Sequence, residues 1–180
     1  MSLANKISIV RVLLAPCVVA SLLYYQPHRD WLRLVTLSVF LLGILSDAVD
    51  GFIARSQNQQ SELGTWLDPI ADKLLIISTL ISLSTIRALP DWMRIPAWFN
   101  LIVISRDVVL IVGTMVILGM KGRVSVRSSL LGKWTIAAQM GVIPLVLLHA
   151  PMKVPILMGV ALLTIVSGLG YIRIGMRILS

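Results

Sequence analysis

The stretch SDAVDGFIARSQNQQSELGTWLDPIADKLL, residues 46–75, sets Asp47, Asp50, Asp68 and Asp72 between long apolar runs. These are four of the eight acidic residues in the chain. An apolar medium tolerates unpaired carboxylates poorly, so their concentration here calls for a partner or a function. Asp47 and Asp50 are three residues apart, Asp68 and Asp72 four. On helices both spacings put the pair on one face. The short polar segment between the two runs makes the helices antiparallel neighbours. Their carboxylates then face each other a turn or so below a membrane surface. Four carboxylates that close cannot all stay ionised unless protons are shared or cations bind. Oxygen donors alone suit hard ions, Mg2+, Mn2+ or Ca2+, rather than zinc.

Asp68 has a structural alternative, because it precedes Pro69 and fits a helix N-cap. Capping does not account for the other three. Gly51, Ala54 and Gly64 are small residues bordering the same region. They permit close helix packing and leave room for a flat ligand against the backbone. Arg55 ends the first run, where it can reach a lipid or a substrate phosphate.

The surrounding chain is built for lipid. Of 180 residues, 57% are apolar and 13% charged, with a mean hydropathy of +0.91. A single domain of that size cannot hide so much apolar surface from water. Six apolar spans are expected, at about 7–25, 32–55, 64–86, 95–120, 129–149 and 154–179, each near the roughly 20 residues a bilayer crossing needs. Backbone groups in lipid must be satisfied internally, which leaves helices or closed barrels. The runs are too long for barrel strands. The expected fold is an all-α integral membrane protein, a bundle of six transmembrane helices forming one domain over residues 1–180.

The N-terminal run superficially resembles a signal peptide. Arg11 falls inside it and no small-residue cleavage site follows, so a retained first helix is expected. Cys17 stands alone, with no disulfide partner and no zinc pattern, and reads as a packing residue. The formal charge is +8. No basic cluster is interleaved with aromatics, which excludes nucleic acid as the expected partner. Lys6, Arg55, Lys121, Arg123, Arg127, Arg173 and Arg177 fall on one side of a six-span topology, and Arg29, Arg87, Arg94 and Lys153 on the other. Positive-inside bias puts the acidic stretch near the cytoplasmic surface. Trp31, Trp92 and Trp98 are placed as interfacial anchors on the opposite side.

The pattern Asp47-x2-Asp50-Gly51-x2-Ala54-Arg55-x8-Gly64-x3-Asp68-x3-Asp72 resembles the signature of the CDP-alcohol phosphotransferase family at every fixed position. Chain length, the basic first helix and the six spans extend the resemblance over the whole chain. It implies a homodimeric enzyme of phospholipid biosynthesis in the bacterial cytoplasmic membrane, with its pocket facing the cytoplasm. It also implies two divalent ions, Mg2+ or Mn2+, among Asp47, Asp50, Asp68 and Asp72. CDP-diacylglycerol would be held by Asp47, Gly51, Ala54, Arg55, Gly64 and Asp68. An acceptor hydroxyl would attack the lipid-side phosphorus, CMP would leave, and Asp72 would also serve as general base.

LGTWLDPIADKLL, NKISIVRVLLAP and WFNLIVISRDVVLIVG resemble the phosphatidylglycerol phosphate synthase and cardiolipin synthase branch. The implied acceptor is glycerol 3-phosphate, with phosphatidylglycerol as the alternative. Arg106, Arg123, Arg127 and Lys133 form the basic set for an acceptor phosphate. Their structural alternatives are loop charge and, for Arg106, an ion pair with Asp107. Arg106-Asp107 stands where phosphatidylglycerol phosphate synthases usually carry Arg-Glu, and is closer to the cardiolipin synthases. An ion or proton transporter is the competing class, but it predicts scattered midplane charges and repeated halves, neither of which this sequence shows.

Overall fold

The computed structural model describes the backbone of residues 3–57, 62–121 and 130–179, and the side chains of 9–46, 71, 73–117, 119–120 and 130–176. Among the described residues there are six α-helices and no strand: α1 Leu3–Leu23, α2 Trp31–Gln57, α3 Glu62–Thr85, α4 Ala97–Lys121, α5 Leu130–Leu147 and α6 Lys153–Leu179. A single 3-10 turn, Pro27–Arg29, precedes α2. The helix ends fall within a few residues of the expected spans. The largest shift is at α1, which begins at Leu3 rather than residue 7. Its first turn is polar, so hydropathy alone does not mark it as helix.

Three helices are long and apolar enough to cross a membrane: Ala97–Ile117, Leu130–Leu147 and Lys153–Met176. The apolar stretches of the first three helices are shorter, Ile9–Leu23, Trp31–Ser46 and Lys73–Thr85. Polar and charged positions enter α2 and α3 at the ends nearest each other in sequence, which shortens their apolar lengths. Pro16 and Pro144 lie inside α1 and α5. Neighbouring helices and side chains can re-satisfy the backbone group each frees, so such prolines are tolerated in apolar helices.

The chain divides into two compact units, Met1–Ile95 with Leu147–His149, and Pro96–Val146 with Ala150–Ser180. In the first, α1 packs on both α2 and α3, and α2 meets α3. The buried faces follow alternating steps of four and three residues, the spacing of a coiled-coil seam. On α1 the line is Arg11, Ala15, Val18 and Leu22. On α2 it is Thr36, Phe40 and Gly43. On α3 it is Leu75, Thr79 and Ser82.

Two contacts fix the register of α1 on α2. The Ser21 and Thr36 hydroxyls are 2.7 Å apart. Seven residues earlier on α1 and seven later on α2, the Leu14 methyl lies 3.8 Å from where a Gly43 Cβ would stand. The two helices therefore run antiparallel. That same Cβ would collide with Leu75 on α3. Glycine is required at 43 because the α3 side chain occupies the space a Cβ would fill. Small residues that bring backbones together are a general device of helix packing in membranes.

At the end of this unit away from the α2–α3 connection, Arg33 holds a cluster together. Its Nη2 donates to Asp30 Oδ2 at 2.8 Å and its Nη1 to the Leu147 carbonyl at 2.7 Å. The guanidinium lies over the Trp92 ring, 5.6 Å from the centroid. Trp92 stacks on His149 at 4.2 Å. The sequence places Trp92 as an exposed interfacial anchor, but this stacking makes it half-buried, whereas Trp31 and Trp98 are exposed as expected. His149 has a φ of 58°, a left-handed conformation costly for a non-glycine residue. The stack on Trp92 helps hold it there. Cys17, expected to pack inside, is exposed, because it falls one step off the Ala15–Val18 line.

In the second unit α4 packs on α6. Helix α5 joins them through Gln139, whose Nε2 donates to Thr164 Oγ1 at 3.1 Å. It also joins through Gly132, where a Cβ would press into the Tyr171 ring.

Two outcomes test this packing. Gly43→Ala should lower the melting temperature in detergent by the equivalent of about 1–2 kcal/mol of overpacking, and Leu75→Ala in the same chain should cancel part of that loss. The Arg33 hydrogen bond is the main reason the Asp30 carboxyl is held below its ordinary value. Its stabilisation is complete above the unfolded carboxylate pKa of about 3.9 and is lost as pH falls through the depressed folded value. Amide exchange around residues 29–33 and 147–149 should accelerate together across that acidic window in the native protein and be fast at all pH in Arg33→Ala.

Candidate active site

For Asp47, Asp50, Gly51, Ala54, Arg55, Gly64, Asp68 and Asp72 the structure describes the helical backbone alone, and their side chains lie outside the described set. Arg123 and Arg127 lie outside the described residues altogether. Among the described side chains, no three His, Cys, Asp or Glu gather in one place. The backbone still locates the acidic positions. Asp47 and Asp50 are on α2, and Asp68 and Asp72 on α3.

These positions continue the buried lines of the first unit. On α2, Thr36, Phe40 and Gly43 are followed at the same alternating steps by positions 47 and 50. On α3, Ser82, Thr79 and Leu75 are followed, running back toward the helix start, by 72 and 68. Gly43 and Leu75 meet across the two helices. Position 47 is four residues beyond Gly43 and position 72 three before Leu75, each about one turn or 5 Å along its axis. Positions 50 and 68 stand a further turn along. The acidic positions are thus stacked in two level pairs above one observed contact.

Arg11 stands at the same level on α1. It is three residues before Leu14, the α1 residue beside the Gly43–Leu75 contact, and its side chain is fully buried. The sequence reading used Arg11 only as an interruption of an apolar run. The signal for more was available: it is the one charged member of the line Arg11, Ala15, Val18, Leu22. What the sequence lacked was the knowledge that this line faces α2 and α3.

Of the expected acceptor set, Arg106 and Lys133 are described, both in the second unit. Arg106 is 5% exposed. Its Nη1 donates to Asp107 Oδ1 at 2.9 Å and its Nη2 to Ser167 Oγ at 3.4 Å. Its guanidinium lies over Tyr171, 5.7 Å from the ring centroid. Its stem passes α6 at Gly168, where an added Cβ would stand 3.5 Å from Arg106 Cγ. Within this cluster Arg106 Nε has no acceptor. Lys133 is exposed and follows Gly132, the residue packed on the other part of Tyr171. Tyr171 is therefore the element that Arg106 and the Gly132–Lys133 turn of α5 share. The ion pair that the sequence offered as the alternative role for Arg106 is formed.

A family model described as CDP-alcohol phosphatidyltransferase matches residues 1–168. A protein of Cereibacter sphaeroides named CDP-diacylglycerol--glycerol-3-phosphate 3-phosphatidyltransferase is 32% identical over 147 residues, covering 82% of this chain and 63% of the relative. A Mycobacterium tuberculosis protein named "Probable phosphatidylglycerophosphate synthase" is 30% identical over 181 residues, covering 98% of this chain and 82% of the relative. The human protein named cardiolipin synthase (CMP-forming) is 39% identical over 111 residues, 61% of this chain and 33% of that protein.

The burial of Arg106 makes a prediction about stability. Removing one member of a buried ion pair typically costs about 3–5 kcal/mol. Arg106→Ala should lower the melting temperature of the detergent-solubilised protein markedly, while Lys133→Ala, on an exposed side chain, should leave it nearly unchanged. Equal melting of the two variants would mean that the Arg106–Asp107 pair contributes nothing to folding.

Proposed function

The chain belongs to the CDP-alcohol phosphatidyltransferase family, and from that premise we propose that it transfers a phosphatidyl group from CDP-diacylglycerol to glycerol 3-phosphate and releases CMP. The observation that carries the proposal is the placement of positions 47, 50, 68 and 72 on two packed helices, level in pairs above the Gly43–Leu75 contact. That arrangement suits a group of hard oxygen donors at one end of the α1–α3 unit. The glycerol 3-phosphate acceptor is supported by the names of the Cereibacter and Mycobacterium relatives.

The residues present fit divalent ions by donor chemistry: four carboxylates and no competing soft ligand in the signature. Asp47, Asp50, Asp68 and Asp72 would hold Mg2+ or Mn2+, which supplies charge neutralisation for the diphosphate. The chain performs the rest. Gly51, Ala54 and Gly64 border the nucleoside, where the absence of larger side chains lets it approach backbone. Arg55 adds a cation beside the diphosphate. Asp72 accepts the proton as the acceptor hydroxyl oxygen bonds to the lipid-side phosphorus. The bond from that phosphorus to the bridging oxygen breaks, and CMP leaves with the bridging oxygen. Lys133, Arg123 and Arg127 hold the acceptor phosphate, with Arg106 in its buried pair behind them.

In this proposal all six helices span the membrane, with the two compact units forming one catalytic domain. The α2–α3 connection faces the cytoplasm, as the Lys and Arg distribution supports. The setting is the bacterial cytoplasmic membrane and the working form a homodimer, as the family resemblance implies. Phosphatidylglycerol as acceptor, giving cardiolipin, is the second reading. It is supported by the human relative and by Asp107 following Arg106.

Purified protein should release CMP from CDP-diacylglycerol only with Mg2+ or Mn2+ present, and chelator should abolish turnover reversibly. Asp47→Asn and Asp50→Asn, which change charge and ligation but not size, should purify normally and lose activity by at least about 100-fold. Offered glycerol 3-phosphate, phosphatidylglycerol, inositol phosphate and serine separately, the protein should yield phosphatidylglycerol phosphate from the first. Cardiolipin from the second, with no product from the first, would replace the acceptor assignment. Full activity in excess chelator would remove the metal from the mechanism.

Charge-assisted contacts are worth roughly 1.5–3 kcal/mol each. Loss of one should therefore raise the acceptor KM about tenfold or more. Lys133→Ala should show this effect with the KM for CDP-diacylglycerol little changed. Equal loss toward both substrates would detach Lys133 from the acceptor.

A further inference from the structure

Arg11 is the largest fully buried side chain named in the first unit and is charged. A guanidinium does not lose its proton in a protein interior, and an isolated buried charge is strongly unfavourable. Its compensation must come from helices packed on α1, which are α2 and α3. Seven of the eight acidic residues lie in residues 1–95. Asp30 is at the far end of the unit with Arg33, and Asp91 is in the loop beyond α3 with Arg94. Glu62 begins α3, ten residues or about 15 Å from the level of Arg11. The four signature aspartates remain.

Register narrows the choice. Helices α1 and α3 are each antiparallel to α2, so they run parallel to each other. Arg11 is three residues before Leu14, and Asp72 is three residues before Leu75. Leu14 and Leu75 border the same point, the absent Cβ of Gly43. Equal offsets from a shared contact on parallel helices give the same level and the same rotation. Asp47 is on the antiparallel helix at an offset of four, and Asp50 and Asp68 are a further turn away.

We propose that Arg11 is a positioning residue for Asp72: a buried guanidinium, beyond the reach of substrate, that pairs with the Asp72 carboxylate and holds it in place for the reaction. This rests on the phosphatidyltransfer reading for what Asp72 does, but not for the pairing itself. A planar fork can engage a carboxylate through two parallel hydrogen bonds, which sets the orientation of the carboxylate as well as its charge. Sited on α1, it also ties the acidic face to a third helix. The carboxylate is then supported from the protein side before any ligand arrives, as a reacting group held by a second layer of contacts should be.

A double-mutant cycle on metal-free protein tests the pairing without turnover. Melting temperatures are measured for Arg11→Gln, for Asp72→Asn, Asp47→Asn and Asp50→Asn, and for each aspartate change combined with Arg11→Gln. Asp72→Asn should lower the melting temperature of the native chain and have little further effect once Arg11 is Gln. The Asp47 and Asp50 changes should add independently. Should Arg11→Gln not purify, Arg11→Lys supplies the same cycle, keeping the charge and losing the fork. In kinetics, Arg11→Gln should lower kcat about 100-fold, the order expected for misplacing a reacting group by about 1 Å. KM for CDP-diacylglycerol should stay within about threefold, an allowance of under 1 kcal/mol, and Arg11→Lys should recover part of kcat. Additive melting at all three aspartates, or coupling at Asp47 or Asp50 in place of Asp72, overturns the assignment. Coupling at Asp72 in a protein that releases no CMP with any acceptor would sink the phosphatidyltransfer reading and leave the pairing standing.

Discussion

The close approach of α2 to α3 at Gly43 governs the first unit. Without a Cβ there, Leu75 fills the space beside the α2 backbone, and Leu14 borders the same point from α1. Three helices are keyed to one level by that contact. Every position above it inherits a level from helical rise alone. Charged positions in an apolar helix are acceptable only where partners stand opposite, so a register error of one turn would leave buried charge uncompensated. The steric contact and the electrostatics therefore enforce the same alignment. A glycine that reads as a local packing device is also what keeps the acidic stack and the buried arginine in step.

The second unit solves a related problem with different means. Arg106 is carried into an apolar helix pair by an adjacent carboxylate, a serine hydroxyl and an aromatic face. Gly168 gives its stem passage, and Gly132 lets α5 close on the same ring. Gln139 and Thr164 add a hydrogen bond between α5 and α6. Polar residues in this unit are thus spent on joining helices whose outer faces stay apolar. The exposed Leu, Ile, Val and Met side chains of α4–α6 fit a lipid surround.

Family membership and physical placement bear on function in different ways. The family match spans residues 1–168 and so includes both units. It supplies the reaction class, while the buried lines of α1–α3 supply a physical reason for the signature spacing. Asp-x2-Asp on one helix and Asp-x3-Asp on the next are the three- and four-residue steps of a seam, so carboxylates occupy positions where leucines would otherwise pack. A change of one residue in either spacing would carry a carboxylate off the seam.

The sequence by itself determined the helices, the seam spacing of the acidic residues and the reaction class, because each depends on periodicity or on a pattern local in the chain. Helix ends were legible to within a few residues, since polar first turns such as that of α1 carry no hydropathy signal. Tertiary packing decided which face of each helix is buried, and so decided the cases the sequence left open or misplaced. Cys17 is exposed because it is one step off the α1 line. Trp92 is drawn onto His149 by a partner 57 residues away in the chain. Arg106 is committed to Asp107 and Ser167 by the closure of α4 on α6. Arg11 became meaningful only when Leu14, Gly43 and Leu75 were seen to meet, because the level of a charge on one helix relative to charges on two others is set by side-chain contacts between helices and is not written along any one of them.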